Sequence, residues 1–359
     1  MNQLFQRINK LLDNEEKNTL TKEHKKIIDN TLALLHVPAN TLYRSGDKGL
    51  DTKSIEGTIQ AICTISSIHQ DYYYARQVVA LRVLDTLDNL VFMLEHKRVK
   101  GAAMCFRLIL ETIGLLDKIN RDHIQKPLSD IKTFQKEIIN FTDRYEMIAK
   151  QLYLISEHTL KITYTSKVDW ELYIEEGILQ NYAPPENQYD PTLTHKLKYK
   201  SAVDKLEPNI KPSNGKDWGV VYSFLSDFTH PSSGTHLSLA DNSKSVISAM
   251  GGIHFRRLAF KFDEENEILN KVYRDILQFI PSILLVYNEV EKRSNKIEKS
   301  IYKYSNYLVR DLLKDMNEVN PNGRAILDYH WRHEKNCICL GGKPFKNCCG
   351  TLKADKVVK

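Results

Sequence analysis

Long apolar runs and the common nucleotide or metalloprotease motifs are missing from this chain of 359 residues. Its best apolar run, FIPSILLVY, is far shorter than the roughly 20 residues of a membrane span and contains Pro281. No membrane partner is expected. The opening MNQLFQRINKLLDNEEK lacks the basic-then-apolar order of a secretory signal, which predicts a cytoplasmic protein whose thiols stay reduced. With no G-x4-G-K-[ST], no G-x-G-x2-G and no H-E-x2-H, nucleotide-driven work and a zinc hydrolase in the body are disfavoured. Glycine (15) and proline (11) are scarce for this length, so little interrupts helices.

What is present is largely helical spacing. Leu4, Phe5, Ile8, Leu11 and Leu12 open two amphipathic helices within residues 1–35, with Asn18, Thr19 and Thr21 able to break or cap them. From Ser54 to about Lys118 the pattern is nearly all helix. Val78, Val79, Leu81, Val83, Leu84, Leu87, Leu90, Val91 and Leu94 form a broad apolar stripe, and Gly101 is the expected helix C-terminus. Helices are also expected over 131–157, 218–228, 243–262, 264–289 and 300–313. The turn-rich stretch near 183–216 reads as an excursion, and no fixed-period repeat or run of strands is seen. The fold class is therefore all-α. It comprises an N-terminal helical region (1–53), a helical core (54–320) and a small C-terminal element (332–359).

Two polar clusters stand out in the body. Arg107 and Glu111 lie one turn apart in AAMCFRLILETIGLLDKI, a helix apolar almost all round, where a charge needs a partner. They are either an internal ion pair that fixes packing or the lining of a polar cleft. In VYSFLSDFTHPSSGTH, Tyr222, Ser226 and His230 fall on one line, and Pro231 places His230 at or just beyond the helix end. There the dipole favours the protonated imidazole, a proton donor or phosphate contact. Equally, His230 is a terminal histidine bonded to a carboxylate such as Asp227 or Glu111. The candidate site residues are Arg107, Glu111, Ser226 and His230.

The remaining signal is at the C-terminus. Cys337, Cys339, Cys348 and Cys349 make C-x-C-x8-C-C in NCICLGGKPFKNCCG, four soft ligands that suit a closed, structural Zn2+ site. Gly341 and Gly342 permit the tight turn, and Phe345 is the one aromatic such an element could bury. Disulfides are disfavoured by the adjacent pair Cys348–Cys349 and by the expected compartment. Cys63 and Cys105 sit in apolar helical settings and read as small core residues. The charge total, 51 basic against 45 acidic, is +6, yet residues 332–359 alone carry seven basic against two acidic, or +5. A nucleic-acid or ribosome contact would begin there.

This stretch resembles the SEC-C motif, through Cys337, Cys339, Gly342, Lys343, Phe345, Lys346, Cys348 and Cys349. Ile338, Leu340, Gly341 and Pro344 depart from the usual form. The resemblance implies structural zinc and docking to protein, ribosome, RNA or DNA, and it says nothing about the body. The Arg107/Glu111 and Tyr222/Ser226/His230 patterns resemble an uncharacterised bacterial all-helical family over roughly residues 60–290. Two functions compete. One is a metal-independent ribonuclease resembling the HEPN class of antiviral defence and toxin systems. Its Arg-His pair would be Arg107 with His230, or the weaker Arg324 and His330 of RAILDYH. The other is a non-enzymatic binding or adaptor protein, with a homo-oligomer compatible with either.

Overall fold

The structure, a computed structural model, describes residues 2–14, 19–36, 55–163, 199–229, 246–249, 253–256 and 267–319. Helices dominate. In chain order they are α1 (Asn2–Asn14), α2 (Lys22–Leu35), α3 (Ile55–Glu95), α4 (Val99–Lys118), a π-helical segment Ile119–Ile124, α5 (Gln125–Glu137), α6 (Phe141–Thr163), the short α7 (Tyr199–Val203), α8 (Trp218–Thr229) and α9 (Glu267–Val319). The helical class expected from spacing is thus observed, with one addition. Strands β1 (Val246–Ala249) and β2 (Ile253–Arg256) pair antiparallel, with Val246 opposite Arg256 and Ala249 opposite Ile253.

That ribbon corrects the helix expected over 243–262. Gly251 and Gly252 interrupt the segment, and a pair of glycines between short runs rich in Val, Ile and Phe favours a hairpin over a helix. Two further expectations change. The break after α3 falls at residues 96–98, where Lys97 takes a left-handed φ of 53° and Arg98 N–H donates to the Met93 carbonyl at 2.7 Å. Gly101 instead lies inside α4, where an added Cβ would meet Met93 Sδ at 2.7 Å. The helices expected separately over 264–289 and 300–313 are one continuous α9 of 53 residues that runs through Pro281. Proline costs about 3 kcal/mol inside an isolated helix. Burial of Leu277, Ile280, Ile283 and Leu284 around it supplies the opposing term.

The chain divides into two units. The first comprises Met1–Val37, Val79–Lys118 and Lys198–Lys292, so it takes α1, α2, the C-terminal part of α3, α4, α7, α8, the ribbon and the first half of α9. Ile8, Leu11 and Leu12 of α1 and Ile27 and Ile28 of α2 are buried, as their spacing requires. The α3 stripe is narrower than its composition suggests, because Leu81 is 58% exposed while Val83, Leu87, Leu90, Val91 and Leu94 are buried. Thr21 caps α2 together with His24, whose Nδ1 accepts the Thr21 backbone N–H at 3.1 Å. Phe106, Trp218 and Phe279 form an aromatic cluster with ring centroids 5.9–6.4 Å apart, and Trp218 Nε1 donates to the Ile210 carbonyl at 2.7 Å. That cluster ties α4 to α8 and α9.

The second unit comprises Pro38–Val78, Ile119–Leu197 and Arg293–Lys359; its described helices are the first part of α3, the π-helical segment, α5, α6 and the last part of α9. Ile62, Ile65, Ile68, Ile131, Ile148, Leu152, Ile155, Ile301 and Leu308 form its apolar core. Polar residues are buried among them. Tyr72 Oη donates to Asn120 Oδ1 at 2.7 Å, and Asn120 Nδ2 donates to Ser294 Oγ at 2.8 Å. Arg76 pairs with Glu298, and Arg144 Nη2 with Asp311 Oδ2 at 3.1 Å.

Candidate functional site

Helix α4 supplies two of the candidate residues. Arg107 and Glu111 are one turn apart, and Arg107 Nε donates to Glu111 Oε1 at 2.9 Å. Their side chains retain 20% and 15% exposure, so the pair is neither free in water nor sealed from it. Helix α8 then brings up Tyr222, which is 7% exposed. The Tyr222 hydroxyl donates to the same Glu111 oxygen at 2.8 Å, and Arg107 Nη2 lies 3.4 Å from Tyr222 Oη. The guanidinium also sits over the phenol ring, its Cζ 5.2 Å from the centroid, within cation–π range.

This geometry limits the chemistry. Burial, reinforced by donation to Glu111, raises the Tyr222 pKa, so the phenol stays protonated near neutrality and is no general base. One Glu111 oxygen already accepts two hydrogen bonds. The arrangement holds Arg107 by its Nε edge and its face, and thus fixes where a cation is presented. Ser226, one turn beyond Tyr222, donates its hydroxyl to the Tyr222 carbonyl at 2.8 Å. Its proton is committed to its own helix.

Arg107, Glu111 and Tyr222 therefore meet, with Ser226 on the adjoining turn of α8. Helix α8 ends at Thr229. His230 lies outside the described residues, as do Cys337, Cys339, Cys348, Cys349, Arg324 and His330. Cys105 is half-buried, and burial raises its thiol pKa, which suits a packing residue rather than a nucleophile. The Cys63 side chain lies outside the described residues. Among the described residues no three His, Cys, Asp or Glu side chains are grouped to hold a metal ion, and no helix is long and apolar enough to cross a membrane.

The polar interior of the second unit is not among the clusters that the sequence singled out. His69, Asp71, Arg76, Asn120, Ser156 and Ser294 are all buried there. Burial pushes the His69 imidazole down to about 4, opposed in part by the nearby Ser66 carbonyl. Ser156 Oγ donates to Asp71 Oδ2 at 3.3 Å, while the His123 and His158 rings stack at 4.5 Å. The signal was legible: ICTISSIHQDYYYARQ places Ser66, His69, Asp71 and Arg76 in a helix whose other positions are largely apolar. Polar groups on such a helix need partners there, as Arg107 and Glu111 do on α4. No family model, curated protein or solved structure matches this chain.

Proposed function

We propose that the chain is a cytoplasmic nucleic-acid-binding protein in which a helical body carries a C-terminal zinc element that docks on phosphate. The observation that carries this reading is the coincidence, within residues 332–359, of four cysteines at C-x-C-x8-C-C spacing with a charge balance of +5. Four thiolates make a closed tetrahedral set whose role is to fold a segment too short for a core. In sequence Lys335 precedes that set and Lys343 and Lys346 fall between its two pairs; with Zn2+ the four thiolates carry a net −2, which lowers the local balance from +5 to +3 and still leaves it positive toward a polyanion. In the body, a doubly engaged Glu111 and a protonated Tyr222 suit holding and presenting Arg107 better than moving protons.

The test uses the full chain. Wild type binds about one zinc by elemental analysis, and a single-stranded RNA oligonucleotide in fluorescence anisotropy with affinity that falls steeply with salt. The K343E/K346E variant binds more weakly, and its log–log salt slope is shallower by roughly 0.7 for each phosphate no longer neutralised by a lysine. Cys348→Ser loses the metal. Unchanged RNA affinity and slope in the charge-reversed protein would overturn docking through the tail.

A second reading, metal-independent ribonuclease, rests on one observation: Arg107 packs on Tyr222, eight residues before His230 in sequence. Cleavage through a ribose 2'-OH needs a proton-transfer group and a cation for the phosphorane, roles that fit His230 and Arg107. RNA cut by wild type but not by His230→Ala or Arg107→Ala would support it. RNA left intact by wild type across pH leaves the binding reading standing alone.

A further inference from the structure

The part of α9 that belongs to the second unit carries its charges on one side. Its inner side holds Ile297, Ile301, Ser305, Leu308 and Leu312, all buried and all at helical spacing. Lys296, Lys299, Lys303 and Arg310 follow one another at intervals of three, four and seven residues, so they fall in one line on the opposite side, and all four are exposed. The line rises about 21 Å along the helix axis, at about 1.5 Å per residue. Among the described residues none of the four makes an ion pair.

The acids of this segment are engaged elsewhere. Between Arg293 and Leu312 there are two, Glu298 and Asp311, which flank the line on either side. Glu298 pairs with Arg76 of α3 and Asp311 with Arg144 of α6, so neither offsets the exposed cations. A solvated helix face ordinarily mixes both signs one turn apart, as Lys271 with Asp275 and Lys292 with Glu289 do earlier in α9. This face has four cations and no acid. Beside it stands an aromatic ring: Tyr302, three residues after Lys299, is 40% exposed and sits edge-on against the buried His69 ring, with centroids 5.0 Å apart. A ring already held in place loses little freedom when a flat group stacks on it.

We propose that this line on α9 is a binding track for single-stranded nucleic acid, in which Lys296, Lys299, Lys303 and Arg310 neutralise backbone phosphates and Tyr302 stacks a base. The proposal rests on the nucleic-acid-binding reading above and adds a contact surface on the helical body to the one at the tail. Cations in line beside an exposed aromatic suit a strand with unstacked bases, because the charges follow the backbone and the ring accepts a base of any identity. In a duplex the bases stack on one another and leave Tyr302 without a partner. An anionic membrane fits less well. A helix lying in a lipid interface needs an exposed apolar face, whereas Ile297, Ile301, Leu308 and Leu312 are buried.

Fluorescence anisotropy of the full chain with a labelled single-stranded RNA, measured across salt, tests it. Reversing two exposed charges in K299E/K303E should weaken binding about tenfold or more at low salt and make the log–log salt slope shallower by roughly 1.4, two phosphates at about 0.7 each. Circular dichroism and the urea midpoint should stay unchanged, since both side chains are exposed. Tyr302→Leu, which keeps bulk against His69, should weaken binding about fivefold or more at every salt concentration and leave the slope as it is. Comparison with K343E/K346E separates the two surfaces. Loss in the tail variant with none in K299E/K303E would overturn the α9 track and leave tail docking standing. Loss in K299E/K303E alone would support the track and overturn tail docking, and a wild type that binds no RNA would remove both. Duplex RNA bound as tightly as the single strand, or anionic vesicles bound in place of RNA, would overturn the assignment to single strands.

Discussion

Acidification should weaken the second unit through His69 over a defined pH window. In the unfolded chain this imidazole titrates near 6.5, and in the fold burial holds it at about 4. Above pH 6.5 it is neutral in both states and contributes no pH dependence. Between 6.5 and 4 the unfolded chain binds a proton that the folded chain refuses, so unfolding free energy declines as pH falls; below 4 both states are protonated and the decline stops. Over those roughly 2.5 pH units, at about 1.4 kcal/mol each, the full loss is about 3.5 kcal/mol. The assay is urea unfolding by circular dichroism at fixed pH steps from 7.5 to 4, for wild type and His69→Gln. Gln keeps hydrogen-bonding capacity and removes the titration. His24 in the first unit is also lowered by burial, but it is present in both proteins and cancels in their difference. The wild type should lose more stability than the variant between pH 6.5 and 4, and an NMR titration of the ring protons should place the midpoint near 4. Parallel pH curves for the two proteins, or a ring that titrates near 6.5, would refute the reasoning.

The remaining expectations concern the first unit. Removing the shared acceptor in Glu111→Ala should cost about 2–3 kcal/mol and Tyr222→Phe about 1.5, since the hydrogen bonds removed involve a carboxylate with little exposure. Because both changes break the same interaction, the double variant should fall short of their sum by about 1 kcal/mol or more in chemical denaturation. Strict additivity would mean that Tyr222 and Glu111 are energetically independent. Gly114 lets α4 approach α7, for an added Cβ would lie 3.3 Å from the Val203 backbone N and 3.4 Å from the Ala202 backbone carbon. Gly114→Ala should be nearly neutral, as helix propensity offsets crowding. Gly114→Leu should cost about 2 kcal/mol through overpacking, read as a lowered midpoint in thermal unfolding.

Local periodicity determined which segments became helices, because spacing of apolar residues decides which face can be buried wherever the partner comes from. Residues 2–14, 22–35, 55–95 and 218–229 were legible for that reason, and so was Arg107 beside Glu111, four residues apart on one helix. The C-x-C-x8-C-C spacing of the C-terminal cysteines is likewise a property of sequence. Tertiary structure decided what depends on distant neighbours. It carried α9 through Pro281 by burying Leu277 and Ile280 before it and Ile283 and Leu284 after it, and it left Leu81 in water although its type marks it as core. It set Tyr222, more than a hundred residues away, on the Arg107–Glu111 pair, and joined Tyr72, Asn120 and Ser294 in one chain of hydrogen bonds. Sequence states that a buried charge or hydroxyl must have a partner, since leaving one unmade costs more than an average hydrogen bond stabilises; only the packing of separate helices names the partner.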